Sequence, residues 1–355
     1  MSAYKNMPLV MDNGTLLSKV GFAGDDSPRF VFPTIPGSFS YEHYSLETIS
    51  QGKSPIERGV IKDWQAMERI WSKTFRELGV DPSQHPVLLS QVLLNPPKNK
   101  EKIAEIMFER FNIPKLYLAH QGVLALFASG RTTGIVIDIG DGVCCITPIY
   151  EGYALPDSMA QIDLAGKDIT LYLQRLLRQG RYHSIHSVDI GVIRDIKEKV
   201  CFIALDIEKE KFKLRAEDKM ERIYTHPLGQ KVEIGNERFL APECLFNPSL
   251  IGRNVQSIDK VLLDSLSKCD SDVRVDLLKN IVLSGGSTLF PGIEERLVQE
   301  IKKSSSKSFE IRIVSPPERF YSVWIGGSVV GSLSMTEKLW KTQKEYREKG
   351  AQIFH

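Results

Sequence analysis

Two aspartate-containing turns, each set between apolar runs, constrain the fold of this chain more than any other feature. The first turn contains Asp12 and follows residues 9–11, and the second contains Asp138 and follows residues 135–137. Each leads into another apolar run, a pattern that predicts a β-hairpin. Asn-Gly and Asp-Gly pairs are also common in ordinary hairpin turns, so neither turn is specific by itself. Their repetition predicts two related structural units.

The residues of these turns suit the binding of phosphate together with a divalent cation. Glycine lets backbone N–H groups point towards an anion, and a carboxylate at a strand end offers a hard oxygen to Mg²⁺ or its waters. Two such turns facing each other would hold a nucleoside triphosphate from both sides.

A third loop contains a pair of glycines. Residues 280–283 predict a buried strand, Gly285 and Gly286 follow in a tight loop, and residues 293–301 predict a helix. A strand, a glycine pair and a helix N-terminus can hold the phosphate or ribose of a nucleotide. An ordinary connection between a strand and a helix has the same pattern, so both interpretations stay open from this segment alone.

Size and charge limit the class of protein. A chain of 355 residues, 42% of them hydrophobic, can bury large cores and should form two domains or two lobes. The net charge of +2 argues against nucleic acid or an anionic membrane as the main partner. Residues 1–8 lack the apolar stretch of a signal peptide, and no run approaches the roughly eighteen apolar residues of a membrane-spanning helix. We therefore expect a protein of the cytosol or the nucleus.

Strand-like and helical patterns alternate along the chain, which predicts a mixed α/β protein. Apolar residues spaced by three and four predict an amphipathic helix at residues 64–78. We also expect a helix over residues 189–205, a charged segment outside the core over residues 206–224, and a final helix over residues 336–349 that ends at Gly350. Further helices are predicted at residues 98–111, 120–129 and 167–179, strands at residues 86–90 and 115–118, and a strand pair at residues 149–155.

Beyond these patterns, long stretches of the chain closely resemble actin and the actin-related proteins. The matching segments are residues 10–14, 19–26, 128–134, 148–154, 194–199, 234–239, 283–286, 316–319 and 321–327. They occur in the order expected for that family, and the match runs from about Leu9 to His355. The resemblance implies a two-lobed actin-like ATPase fold of duplicated ribonuclease H-like domains, with a nucleotide cleft between the lobes.

This resemblance implies an ATP or ADP site with Mg²⁺, and it assigns a role to individual residues. Asp12 and Asp138 would hold the hydrated magnesium, and Gln121 and Asp138 would be the catalytic residues, with Gln121 orienting the attacking water. The residues implied in phosphate contact are Gly14, Thr15, Lys19, Gly140, Asp141 and Gly142. The residues implied around the ribose and the adenine are Gly166, Lys197, Glu198, Gly285, Gly286 and Phe290. An alternative is that Lys197 and Glu198 form a solvated helix face and that Phe290 is a core residue.

The chain departs from the family pattern beside the expected γ-phosphate position. Ile139 replaces a small hydroxyl residue of the second turn, and Cys145 replaces a histidine near the attacking water. An aliphatic side chain makes no hydrogen bond, and a thiol is a weak donor and acceptor. We therefore expect ATP to bind well and to be hydrolysed slowly, as a weak ATPase whose hydrolysis acts as a conformational switch.

Other departures concern assembly into filaments. The segment around residues 38–54 is shorter than in actin by well over a dozen residues, and it corresponds to a loop that reaches into the next subunit. Residues 250–253 match an apolar plug between filament strands, but Arg253 adds a charge there. Burying an unpaired guanidinium would cost several kcal/mol and weaken a filament contact.

These features predict an actin-related subunit of a short filament or a larger complex. The first lobe would comprise residues 1–128 and 322–355, with a shortened small subdomain around residues 34–55, and the second lobe residues 129–321. Expected partners are other actin-family subunits and actin-binding or scaffold proteins, without a membrane or direct nucleic-acid contact. The expected location is the cytoplasmic cytoskeleton, with the nucleus as an alternative.

Several alternatives stay open at this point. The chain could be a divergent conventional actin. Residues 283–290 resemble the dynactin-type actin-related protein, while residues 194–199 and 234–239 look closer to conventional actin. Actin-related proteins of nuclear chromatin-remodelling complexes and germline-specific actin-like proteins are further alternatives. A sugar kinase or a chaperone ATPase shares the doubled hairpin architecture. A kinase needs an aspartate base over a sugar pocket and a chaperone needs a following substrate domain, and neither is visible in the sequence. A structural protein that never releases its nucleotide is a further alternative.

Overall fold

The computed structural model of this chain describes residues 6–36, 52–179, 189–216, 222–225, 231–304 and 310–354. Two six-stranded sheets form its framework. In spatial order the strands of the first sheet are β16 (Lys341–Thr342), β7 (Lys115–His120), β6 (Val87–Gln91), β1 (Leu9–Asn13), β2 (Leu17–Phe22) and β3 (Phe30–Pro33). The strands of the second sheet are β10 (Tyr153–Ala154), β9 (Cys144–Tyr150), β8 (Gly134–Ile139), β14 (Ile281–Ser284) and β15 (Ile313–Val314), with β11 (Ala160–Ile162) also paired to β9.

The two sheets repeat one pairing scheme. Strand β1 is antiparallel to β2 and parallel to β6, and β6 is parallel to β7. In the second sheet, β8 is antiparallel to β9 and parallel to β14, and β14 is parallel to β15. The two predicted aspartate-containing hairpins are β1–β2 with Asp12 and β8–β9 with Asp138, and we call them the acidic hairpins. Each therefore occupies the same place in its own sheet. This duplication confirms the expected α/β fold with two related lobes.

Helix α1 (Trp64–Leu78) shows how local sequence sets the ends of an element. The Asp63 side chain accepts a hydrogen bond of 2.9 Å from the Ala66 N–H, which caps the first turn. Gly79 ends the helix with a φ of 66°, a conformation that glycine adopts without steric cost. The buried face follows the predicted spacing and consists of Ala66, Met67, Ile70, Trp71, Thr74 and Phe75.

Eleven further α-helices lie in the described segments. They are α2 (Pro97–Glu105), α3 (Gln121–Ala128), α4 (Gly166–Gln179), α5 (Ile190–Val200), α6 (Ile207–Ala216), α7 (Glu237–Leu240), α8 (Ile258–Lys268), α9 (Ser271–Leu278), α10 (Ile293–Ser304), α11 (Ser322–Ser332) and α12 (Gln343–Lys349). A π-helical turn, Ile106–Arg110, continues α2. Two short hairpins complete the strands, β4 (Ile56–Glu57) with β5 (Val60–Ile61) and β12 (Arg222–Thr225) with β13 (Lys231–Ile234). No helix of the described segments is long and apolar enough to cross a membrane.

Helices α3 and α11 pack against each other where the two sheets meet. A Cβ on Gly326 would lie 1.8 Å from the Leu124 carbonyl oxygen, so only glycine permits this approach. Trp324 is fully buried and donates from Nε1 to the Val10 carbonyl oxygen of β1. The surrounding apolar cluster includes Val10 of the first sheet and Val136 of the second. The two lobes therefore share a core.

Two sequence predictions of helix extent and one prediction of burial are wrong, and buried residues are involved in each case. The helix expected over residues 189–205 ends at Val200, since Cys201 and Ile203 enter the second-lobe core in non-helical backbone. Within the segment 206–224, helix α6 ends at Ala216, and Tyr224 lies buried in β12 although this segment was expected outside the core.

The final helix begins later than predicted. Residues 334–339 form a 3-10 helix, Trp340 is buried, and Lys341–Thr342 pairs with β7. Only then does α12 start, with a reciprocal capping box between Thr342 and Glu345. Most of the shortened segment around residues 38–54 lies outside the described residues.

Candidate nucleotide-binding cleft

The two acidic hairpins end in matching turns that face each other. The Gly14 N–H donates to the Leu17 carbonyl oxygen at 3.0 Å, and the Gly140 N–H donates to the Val143 carbonyl oxygen at 3.1 Å. A Cβ on Gly142 would lie 2.2 Å from Thr15 Oγ1, so the two tips nearly touch. In each hairpin the aspartate stands two residues before the first of these glycines.

A cavity of about 220 Å³ lies between these turns and continues towards helix α5 and the third glycine loop. Nearly all of the residues proposed from the sequence line it: Asp12, Gly14, Thr15, Lys19, Gln121, Asp138, Gly140, Asp141, Gly142, Lys197, Glu198, Gly285, Gly286 and Phe290. Gly166 lies behind the wall, where its N–H donates to the Gly140 carbonyl oxygen at 3.0 Å. A Cβ on Gly166 would lie 2.6 Å from Ser287 Oγ, which explains why glycine stands there.

Asp12 is buried and fully engaged within the first lobe. Its Oδ1 accepts from Ser90 Oγ at 2.6 Å, and its Oδ2 forms an ion pair with Lys19 Nζ at 3.1 Å. Gln121 Nε2 lies 3.3 Å from Ser90 Oγ and 3.5 Å from Asp12 Oδ1. Ser90 was not predicted, because it reaches Asp12 only through the parallel pairing of β6 with β1. These contacts hold Gln121 beside the first carboxylate.

Asp138 has a different electrostatic environment. Burial raises the pKa of its carboxyl, and the nearby Asp12 carboxylate raises it further, while Ser284 and Lys19 act in the opposite direction. No Lys, Arg or His within the described segments forms an ion pair with it. A divalent cation would relieve this partly buried charge, which has no ion-pair partner in the described segments.

The third loop closes over the end of strand β8. Gly285 has φ 88° and ψ 153°, a region open in practice only to glycine. A Cβ there would lie 2.4 Å from the Ile139 carbonyl oxygen and 2.8 Å from Asp138 Oδ1. Gly285 thus brings bare backbone beside the second aspartate, as a cradle for a ligand requires.

Helix α5 contributes a buried lysine to the cavity. Lys197 is 4% exposed, and its Nζ donates to the Gly166 carbonyl oxygen at 3.2 Å. Burial lowers the pKa of this ammonium, and the carboxylates of Asp141 and Glu198 oppose that shift. The solvated-face alternative is therefore wrong for Lys197. It holds in part for Glu198, whose side chain is mostly exposed although it borders the cavity.

Aromatic and apolar residues form another part of the wall. Phe290 is buried in the second-lobe core and also lines the cavity, so both sequence interpretations describe it. Phe320 also lines the cavity, and Lys19 Nζ lies 4.8 Å from its ring centroid. Phe320 was missed because no local pattern distinguishes a cleft phenylalanine from a core one.

The donor set fits a nucleotide with a magnesium ion. The carboxylates of Asp12 and Asp138 line one cavity, and Asp141 Oδ1 is buried without a hydrogen-bonding partner within the described parts of the chain. Mg²⁺ is usually bound through one or two carboxylates, with waters and substrate phosphates completing its octahedron. The described residues contain no cluster of three or more His, Cys, Asp or Glu side chains that could hold a metal ion.

Comparison with known proteins identifies the family. The actin family model matches residues 4–355. The chain belongs to the actin family. It is thus an actin-like ATP-binding protein, and the expected resemblance is confirmed over almost its whole length.

Two departures of this actin-family protein lie beside Asp138. Ile139 is fully buried in the second-lobe core. Cys145 stands opposite Asp138 in the β8–β9 ladder and packs with Val92 and Val143. Burial, helped by the Asp138 carboxylate, raises the pKa of the Cys145 thiol to about 12. Neither side chain is among the residues that line the cavity.

The sequence prediction that Arg253 would add an unpaired charge is wrong. The Arg253 guanidinium is paired within the subunit, donating from Nη2 to Asp168 Oδ1 at 2.7 Å and from Nη1 to the Asp163 carbonyl oxygen at 2.7 Å. The cost of an unpaired buried charge therefore does not arise. Sequence could not reveal this pairing, since 85 residues separate Arg253 from Asp168.

Proposed function

We propose that this protein binds Mg-ATP as a clamp between two lobes and hydrolyses it slowly as a conformational switch. The observation that carries the proposal is the pair of equivalent acidic hairpins facing each other across one cavity. The lobes would comprise residues 1–128 with 322–355 and residues 129–321. A ligand held by both hairpins ties the lobes together, and loss of one phosphate loosens that tie.

The first hairpin and the second hairpin have complementary roles in this proposal. Backbone N–H groups of both turns hold the phosphates, and Lys19 adds a positive charge on one side. Asp12 and Asp138 hold the waters of a magnesium ion, whose charge would offset that of the phosphates. Lys197, Glu198 and Phe290 border the adenosine, with Gly285 and Gly286 giving close backbone approach.

Hydrolysis depends on what orients a water near the phosphates. Gln121 is held beside Asp12 and can place a hydrogen bond there. Cys145 is a neutral thiol turned into an apolar cluster, and Ile139 lies in the core, so neither assists. We therefore propose a turnover slower than that of conventional actin. A phosphate-release rate at or above the conventional rate in a single-turnover experiment would contradict this.

We further propose that the protein works as an actin-related subunit within a short filament or a larger complex. The shortened segment around residues 38–54 supports this assignment over a divergent conventional actin. Partners would be other actin-family subunits and scaffold proteins, in the cytoplasmic cytoskeleton or the nucleus. Mass spectrometry of native complexes, together with a polymerisation assay, would separate these assignments.

The nucleotide proposal is tested with Asp138→Asn. We expect the Kd for Mg-ATP, measured by calorimetry, to rise roughly tenfold or more, because a ligand of the ion's shell is lost. The free energy of unfolding without nucleotide should stay the same or rise, since a partly buried charge without an ion-pair partner is removed. Asp264→Asn, which removes an exposed carboxylate on α8, is the matched control and should change neither quantity. Equal losses of binding and stability in Asp138→Asn would make this residue structural and sink the proposal.

A second measurement separates a switch from a protein that holds its nucleotide permanently. Bound fluorescent ATP would be chased with an excess of unlabelled ATP in the presence of Mg²⁺. A switch predicts exchange and turnover, whereas a permanent structural ligand would show neither.

A further inference from the structure

One carboxylate at the start of helix α4 receives two arginines from distant parts of the chain. Asp168 is 5% exposed. Arg58 donates to it in bidentate fashion, from Nη1 to Oδ2 at 2.6 Å and from Nη2 to Oδ1 at 2.8 Å. Arg253 donates from Nη2 to the same Oδ1 at 2.7 Å, and the Ala165 N–H donates to Oδ2 at 3.0 Å. Asp168 Oδ1 therefore accepts a hydrogen bond from each of the two arginines.

The three charged groups belong to three different parts of the molecule. Arg58 lies in the two-residue turn between β4 and β5, on the first-lobe side of the cleft, and also donates to the Gly142 carbonyl oxygen of the second hairpin at 2.9 Å. Its φ of 49° is unusual for a residue with a side chain, and the following Gly59 has φ 77°. Arg253 follows the surface turn Pro248–Ile251 of the second lobe. Asp168 therefore contacts both Arg58, beside the cleft, and Arg253, which follows the surface turn.

The two arginines compete electrostatically for the single carboxylate of Asp168. Although burial opposes it, hydrogen bonds and charge from Arg58, with further help from Arg253, lower the pKa of Asp168, so the carboxylate is charged. A single negative charge cannot neutralise two guanidiniums, and the two positive charges repel each other. Weaker attraction from Asp163 and Asp141 also acts on Arg58. Detaching either arginine therefore strengthens the pair that the other one makes.

We propose that Asp168 couples closure of the cleft to the position of the turn at residues 248–253. The coupling is antagonistic, because a weaker pair with one arginine strengthens the pair with the other. When the lobes part and Arg58 leaves, Arg253 is held more firmly and the turn is fixed. When the turn lifts and Arg253 leaves, Arg58 binds Asp168 more tightly and the cleft closes. A partner that displaces the turn would thereby slow nucleotide release. The nucleotide readout rests on the proposed function, but the coupling itself does not.

The test compares removal of each arginine. Release of a fluorescent ATP analogue should be faster in Arg58→Gln and slower in Arg253→Gln, each by roughly two- to fivefold, as expected for neighbouring charges that are partly exposed. The difference should shrink at high salt. Where Arg58→Gln does not fold, Arg58→Lys keeps the charge but loses the bidentate pair and should shift release in the same direction.

Hydrogen exchange gives a readout without nucleotide. The Gly252 and Arg253 amides are hydrogen-bonded within the turn, to the carbonyl oxygens of Ser249 and Pro248. Their exchange should slow in Arg58→Gln and accelerate in Arg253→Gln. Arg175→Gln is the matched control, since Arg175 donates to the Leu250 carbonyl oxygen of the same turn and makes no contact with Asp168. It should accelerate exchange in the turn but, because Arg253 keeps its pair with Asp168, slow nucleotide release less than Arg253→Gln does.

Shifts of the same sign in Arg58→Gln and Arg253→Gln, or unchanged release in Arg253→Gln at low salt, would overturn the coupling. If the unmodified protein binds no nucleotide, the proposed function fails instead, and hydrogen exchange of the turn alone decides the coupling.

Discussion

At the scale of single residues, the two cleft aspartates differ in how much of their charge is already balanced. Asp12 is saturated by Ser90 and Lys19, so it is held in place within the first lobe. Asp138 has a raised pKa and, within the described segments, no ion-pair partner. A cation entering the cleft would therefore gain most from Asp138. The sequence presents the two turns as equals, and only the surrounding side chains separate their roles.

Cys145 gives a prediction about pH at this scale. Its pKa of about 12 in the folded protein lies above the ordinary thiol value of 9.0. As pH rises past about 9, the unfolded chain loses this proton while the folded chain keeps it, so the thiol's contribution to stability falls up to about pH 12. Urea unfolding across this range should show a smaller decline in Cys145→Val, which keeps the apolar packing.

The same residue should resist chemical modification. We expect iodoacetamide at pH 8 to leave Cys145 unlabelled in the native protein and to label it after unfolding, as read by peptide mapping. All five cysteines are buried, so none provides an exposed thiol for comparison. Native labelling at the rate of a free thiol would contradict the buried position.

At the scale of elements, boundaries were predictable where local chemistry ends a helix. Helix α1 has the predicted limits, because the Asp63 cap and Gly79 are both readable in the sequence. The final helix was misjudged, since burial of Trp340 and pairing of Lys341–Thr342 with β7 override its helical pattern. Helix α5 ended early for the same kind of reason, as Cys201 is drawn into the core. Contacts from distant parts of the chain carry no local signal.

Gly285 in the third loop gives a prediction at this scale. Gly285→Ala forces a side chain into a backbone region reserved for glycine and against the Ile139 carbonyl oxygen. We expect a loss of about 3 kcal/mol or more in the free energy of unfolding, with loss of nucleotide binding. Urea denaturation and calorimetry would measure the two effects.

Gly130→Ala is the control for backbone strain alone. Gly130 has φ 70° with no atom within 4 Å of an added Cβ, so the cost should be about 1 kcal/mol and nucleotide binding should persist. Equal losses in the free energy of unfolding for Gly285→Ala and Gly130→Ala would show that the close approach at Gly285 contributes nothing to the loss.

At the scale of the whole molecule, the two lobes share an apolar core beneath α3 and α11, which joins them into one cooperative unit where these helices pack. The cleft lies where the lobes instead present loops to each other, with Arg58 donating to Gly142 and Asp168. A ligand that contacts loops of both lobes can bias the angle between the lobes. This arrangement predicts that stability responds to ligands that reach both hairpins.

Ligand-linked unfolding tests that arrangement. Mg-ATP at a hundred times its Kd should raise the free energy of unfolding by about 2.7 kcal/mol if it binds only the folded state. AMP at the same concentration should give a smaller rise, because it lacks the phosphates that would reach both turns. Thermal unfolding with each nucleotide would measure the difference. Equal effects of AMP and Mg-ATP would argue against a clamp.

The amino-acid sequence alone determined the duplicated hairpins, the α/β class, the family and more than half of the residues that line the cleft, because these depend on local turn chemistry and contiguous motifs. Only the tertiary structure decided that Ser90 and Lys19 saturate Asp12, that Phe320 lines the cavity and that Arg253 is paired with Asp168. Most of those contacts join residues far apart in the chain, and the energies of all of them depend on burial and distance, which no stretch of sequence contains.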